Sequence, residues 1–304
     1  MNNFAFALLP VLVLIVIGFL LKRSAFMSDE AWSGMEKLTY YILFPALLIH
    51  TLGNQSVAGL PWITILMITV ITLLLSAMIL IVWHRVFQSV SGPTFTSIFQ
   101  GGVRFNTYIA LAVCAAFYGP QGLAVCAVAA GFMIVLINVL CISVFAVWGE
   151  NDSGKTSIIR DLASNPLILG CVAGGMLSVS GIGLPGVSSE ILEIVGRAAL
   201  PFGLLAVGAA LRLDAVKGHV KSIALSSVIQ FAVKPLTVIT LLYALNISGV
   251  VAGALLIAFF VPTASSAYIL ARQLGGDTET MSSIITFQTL LAFVFMPLIG
   301  MIAL

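Results

Sequence analysis

Gly101-Gly102-Val103-Arg104-Phe105-Asn106-Thr107-Tyr108 interrupts an apolar run that extends from Phe95 to Phe117. Two glycines, a guanidinium and an amide at that depth would disrupt an ordinary membrane-spanning helix. Non-helical backbone survives inside a bilayer only where protein buries it or water reaches it. An ionisable side chain there marks a functional site by default. Val261-Pro262-Thr263-Ala264-Ser265-Ser266 forms a second interruption in the other half of the chain. Pro262 removes an amide donor and crowds the preceding turn. Two broken hydrophobic segments at matching places point to the binding site of a secondary transporter.

The surrounding chain sets the scale of those breaks. It is 61% hydrophobic and 8% charged, with a mean hydropathy of +1.17, against about 25% charged residues in an average soluble domain. About 20 apolar residues cross the hydrocarbon core. That ruler predicts an all-α integral membrane protein with ten spans, at 4–21, 37–53, 61–83, 94–117, 122–148, 162–180, 191–211, 220–245, 249–271 and 280–304. The second span is short, with Pro45 expected to kink it. The first lacks a basic leader and a small-residue cleavage site, so it reads as a retained helix rather than a signal peptide. Lys22, Arg23 and Lys37 flank the first connection, Arg85 the third, Lys155 and Arg160 the fifth, Arg212, Lys217 and Lys221 the seventh, and Arg272 the ninth. Basic residues mark cytoplasmic loops. Every odd-numbered loop is therefore predicted inside, including Gly149–Asp161, and both termini outside.

Five spans in each half would insert with opposite orientation. Residues 1–150 and 151–304 read as two inverted repeats of one membrane domain, and an ungapped shift of 156 carries their trace. It pairs Pro10 with Pro166, Pro45 with Pro201, Gly119 with Gly275 and Thr107 with Thr263, and sets Asn106 opposite Pro262. The Gly154-Lys155-Thr156 triplet in the central connection lacks the upstream glycine and the strand of a phosphate loop.

The charges inside the spans are one-sided. All eleven Asp and Glu residues fall in loops or at helix ends, whereas Arg104 and Lys234 lie well within apolar runs. A cation at the bilayer centre costs about 2.5–3.5 kcal/mol even on a lenient insertion scale. The arginine fork matches a carboxylate bidentately, which makes Arg104 a candidate anion anchor. Lys234, before Pro235, is equally open to snorkelling along its stem. Asn106, Thr107 and Tyr108 follow the first break, and Thr263, Ser265, Ser266 and Tyr268 the second. Where an unwound segment re-enters a helix, free amides and the positive end of the dipole favour an anion. The candidate substrate-binding set is Arg104, Asn106, Thr107, Tyr108, Pro262, Thr263, Ser265 and Ser266. Gly174-Gly175, Gly203 and Gly208 read as close helix contacts, and Asn165-Pro166 as a helix cap. Cys114, Cys126, Cys141 and Cys171 read as small core residues. Neither they nor His50, His84 and His219 have metal-ligand spacing, and no catalytic set, cofactor or nucleic-acid partner is expected.

Phe44-Pro45-Ala46-Leu47, Arg104-Phe105-Asn106-Thr107, Asn165-Pro166-Leu167-Ile168 and Pro262-Thr263-Ala264 together give a family resemblance. Over nearly its whole length the chain resembles the auxin efflux carriers, whose bacterial members include malonate permeases. The resemblance implies a 5+5 inverted repeat with broken, crossing helices 4 and 9. It also implies a scaffold of helices 1, 2, 6 and 7 against a mobile transport unit of helices 3–5 and 8–10, and a homodimer through the scaffold. Its substrates would be small organic carboxylates such as malonate or auxin-like acids, carried by an elevator mechanism in the cytoplasmic membrane. One departure is Tyr108-Ile109-Ala110, where that family's fourth helix continues with Gly and often Pro. An alternative expectation is a sodium-coupled symporter of the bile-acid type, although sodium usually takes carboxylate ligands and the spans keep none. An intramembrane enzyme would need a nucleophile with a base or a metal, and no His, Asp or Glu lies deep enough.

Overall fold

The computed structural model describes residues 2–54, 59–150, 164–213 and 218–302, all of whose regular structure is helical. From residue 151 on, the central connection lies outside the described residues. In chain order the helices are α1 (Asn2–Arg23), α2 (Asp29–Leu38), α3 (Phe44–Gly53), α4 (Trp62–Phe87), α5 (Gly92–Val103), α6 (Thr107–Trp148) and α7 (Pro166–Val179). They continue with α8 (Val187–Arg197), α9 (Ala199–Ala209), α10 (Val220–Val228), α11 (Lys234–Ala244), α12 (Gly249–Phe260), α13 (Ser266–Leu274) and α14 (Thr278–Ile302). Among the described residues, five stretches are long and apolar enough to cross a membrane: Trp62–Phe87, Gly92–Trp148, Val187–Ala209, Val220–Ala244 and Thr278–Met296. Pro166–Val179 and Gly249–Phe260 are apolar but shorter. Gly92–Trp148 takes in two of the ten predicted runs, and breaks and bends cut others into shorter helices.

Those bends are written in proline and glycine. Thr39–Leu43 is a π turn directly before Phe44-Pro45, and Ile229–Val233 a π turn directly before Lys234-Pro235. A proline ring clashes with the carbonyl four residues back, and a widened turn relieves the clash without ending the helix. Inside α6 the chain bends at Gly119 (φ 59°, ψ −148°), a backbone geometry suited to glycine, with Pro120 next. Its partner under the 156-residue shift, Gly275, also has positive φ (74°), as the cap of α13.

Packing follows side-chain size. On α4 the buried face carries Thr69, Thr72 and Ser76 among Ile65, Ile68 and Leu73, while Met67, Ile71, Leu74, Met78 and Val82 are exposed. Large apolar groups outside and small polar ones inside suit a helix whose outer solvent is lipid. α1 lies along α9, and α3 along α7. A Cβ on Gly18 would stand 2.1 Å from the Leu205 carbonyl oxygen and one on Gly208 1.9 Å from that of Ile15, so the α1–α9 approach requires both glycines. Gly174 meets Leu52 and Ile49 of α3, whereas Gly175 faces open space and makes no close contact. Gly203 makes room for the stacked rings of Phe44 and Tyr108, 4.5 Å apart.

The end of the bundle near α13 and α14 is tied by Asp277. Its carboxylate accepts from the hydroxyls of Thr94 (3.0 Å) and Thr280 (2.6 Å) and the Thr280 amide (2.9 Å), and its carbonyl accepts from the Ser97 hydroxyl. Burial raises this carboxyl, and the bonds from Thr280 and Thr94 more than offset that, holding it below the ordinary carboxylate range.

Candidate anion site at the helix breaks

Both interruptions are present, and they touch. Gly101 and Gly102 belong to α5 rather than to the break, fully buried where Ile284, Ser226, Leu80 and Ile229 pack against them. The helix ends one residue later. Arg104 (φ −69°, ψ 164°) caps α5, and Val261 (φ −69°, ψ 153°) caps α12, so the two chains leave their helices by nearly the same turn. Across the gap the Asn106 amide donates to the Pro262 carbonyl at 2.8 Å. These are the two positions that the 156-residue shift pairs.

After the breaks the chain re-enters helices whose N-termini face one cavity. Asn106 caps α6, its Oδ1 accepting from the amides of Tyr108 and Ile109 at 3.1 Å each. Asn165 caps α7 as the sequence predicts, accepting from Leu167 (3.0 Å) and Ile168 (3.3 Å), with Pro166 at the first helical position. Ser265 precedes α13 and makes no side-chain cap bond. The cavity between these three ends holds about 180 Å³ and is lined by Tyr40, Arg104–Tyr108, Ile134, Ile137, Asn138, Asn165, Leu167 and Ala264–Ser266. Among the described residues, no carboxylate lines it. Arg104 is half-buried there, with a long 3.5 Å contact from Nη1 to the Gln100 Oε1. The salt bridges among the described residues, Lys22–Asp29 and Arg197–Glu193, do not involve it.

Six of the eight candidate residues, Arg104, Asn106, Thr107, Tyr108, Ser265 and Ser266, line this cavity. Pro262 and Thr263 lie behind it, buried. Thr263 donates its amide to Gln288 Oε1 (3.0 Å) and its hydroxyl to the Gln100 carbonyl (3.3 Å). Tyr268, further along α13, faces a separate vestibule of about 800 Å³ lined by Lys22, Arg23 and Arg212 and by one acid, Glu279. There the Arg212 guanidinium lies 5.4 Å from the Tyr268 ring centroid.

Sequence reasoning passed over Tyr40, Asn138 and three glutamines. Gln288 joins Thr263 to the Gly101 carbonyl (2.9 Å), Gln100 reaches the Ala267 carbonyl (3.3 Å), and Gln230 binds the Val261 carbonyl. Their signal was present, because an amide inside an apolar run is expensive unless partnered. What a lone glutamine cannot reveal is its partner.

The family described as membrane transport protein matches residues 4–300. Two archaeal relatives, each described as an uncharacterised transporter, align end to end. One, from Methanothermobacter thermautotrophicus, is 24% identical, covering 95% of each chain. The other, from Methanocaldococcus jannaschii, is 22% identical, covering 97% of each.

Proposed function

Because the chain belongs to the membrane transport protein family, the auxin efflux carrier family it resembles in sequence, we propose that it moves small organic carboxylate anions across the cytoplasmic membrane. The observation that carries this reading is the convergence of three helix N-termini and Arg104 on one cavity with no acid among its described lining residues. The aligned dipoles of helix N-termini attract negative charge, and a guanidinium supplies a bidentate partner. About 180 Å³ is room for on the order of six waters at ~30 Å³ each. A malonate-sized acid fits that space.

The carrier is a ten-span, 5+5 inverted repeat, with residues 1–150 and 151–304 as its halves and its fourth and ninth spans (α5 into α6, α12 into α13) crossing at the breaks. Support comes from the Asn106–Pro262 bond, the paired positive-φ glycines 119 and 275, and the packing of α1 on α9 and α3 on α7. Spans 1, 2, 6 and 7 of the ten form the scaffold, and the broken spans ride in the mobile unit of an elevator. With both termini outside, the vestibule of Lys22, Arg23 and Arg212 opens to the cytoplasm and concentrates anions on that side. The scaffold's α8 exposes Val187, Ile191 and Ile194, an apolar row suited to lipid and to the partner of a homodimer. The driving force is the anion gradient and the membrane potential, worth about 2.3 kcal/mol per charge per 100 mV.

A melting-temperature screen of the purified protein tests the reading. Malonate-sized carboxylates should stabilise it saturably, and neutral amides of the same size should not. If no carboxylate raises the melting temperature, the cavity is not an anion site.

A further inference from the structure

Lys234 is fully buried at the first residue of α11, immediately after a π turn. Its ammonium has three N–H groups, and each has an acceptor: the carbonyls of Val103 (3.3 Å) and Arg104 (3.3 Å) and Gln230 Oε1 (2.9 Å). The ring of Phe259 lies 5.9 Å away. The two carbonyls end α5, where the helix dipole is negative. Gln230 extends the contact, because its Nε2 donates to the Val261 carbonyl that ends α12. One side-chain pair, spaced four residues apart across the π turn, thus holds the C-terminal ends of both interrupted helices. A long stem that could have snorkelled points inward instead.

Carbonyls at the ends of discontinuous helices are the ligands with which many transporters hold a coupling sodium ion or proton. Here a tethered ammonium already takes them. We propose that Lys234 is a built-in counter-cation at the crossing, a positioning residue that does for the two helix ends what a bound alkali cation would do, so that the crossing needs no sodium or potassium ion. This disfavours the sodium-symporter alternative on geometry rather than on the absence of buried acids. It goes beyond the anion-carrier reading and does not rest on it, because it is tested on folding.

The test compares thermal unfolding of the purified full chain in sodium, potassium or N-methylglucamine chloride at equal ionic strength. Wild-type protein should melt at the same temperature in all three. Lys234→Met, which keeps the stem and removes the charge, should melt lower in every buffer. Lys234→Ala should also melt lower, and sodium or ethylammonium chloride should raise its melting temperature saturably while leaving wild type unmoved. Saturable stabilisation of wild type by sodium overturns the proposal without any variant. So does a Lys234→Met protein that melts like wild type, or a folded Lys234→Ala protein that responds to neither cation.

Discussion

The two sides of the helix breaks share one backbone motif and present opposite chemistry. On the C-terminal side of α5 and α12, carbonyls converge on a filled volume, where Lys234 and Gln230 take those of Val103, Arg104 and Val261. On the N-terminal side of α6 and α13, joined by α7, amide ends and Arg104 face a cavity that protein leaves open. A broken helix produces both poles at once. The chain closes the negative pole with its own cation, and on the reading proposed above it keeps the positive pole for a ligand. A filled pole is a stability element and an open one a binding element, so variants on the two sides should fail in different assays.

The largest effect should come from the filled side. Gln288→Leu strands the Thr263 amide and the Gly101 carbonyl in a buried place, at about 1–3 kcal/mol for each unsatisfied group. Its melting temperature should fall clearly, while the protein that remains folded still binds anion. Normal melting with lost binding would erase the distinction between the two sides.

Arg104→Ala should do the reverse. Charge-assisted bonds are worth about 1.5–3 kcal/mol, so affinity for a small carboxylate, read by isothermal titration, should drop about tenfold to a hundredfold or more with melting nearly unchanged. Arg104→Lys should recover part of it, because an ammonium keeps the charge and loses the fork. An Arg104→Ala protein that binds normally would leave the site to backbone amides alone.

Asn106→Ala and Asn165→Ala sit between these cases, since each side chain caps a helix whose end lines the cavity. Loss of a cap costs about 0.5–2 kcal/mol, and both melting temperature and affinity should fall modestly. The smallest effects belong to single hydroxyls. Ser265→Ala and Ser266→Ala should each lower affinity by roughly fivefold, near the ~1 kcal/mol of a neutral hydrogen bond. Thr263→Ala, whose hydroxyl is spent on the Gln100 carbonyl, should change melting rather than affinity. A Thr263→Ala defect confined to binding would move Thr263 from the wall into the site.

The helical class, the places of both interruptions, the Asn165-Pro166 cap and the family were readable from the chain alone. Each depends on local chemistry: runs of apolar residues, prolines and glycines that limit φ, and a short polar side chain able to cap the helix that follows it. The 156-residue shift even brought Asn106 and Pro262 together. Tertiary structure decided the rest, because the deciding contacts join residues far apart in sequence. Glycines 101 and 102 stay helical because side chains from other helices fill the space they leave. Pro262 and Thr263 turn away from the cavity because Asn106, Gln288 and Gln100 take their polar groups. Lys234 faces inward because carbonyls some 130 residues earlier wait there. Periodicity shows where a buried polar group lies, and only the folded chain shows what satisfies it.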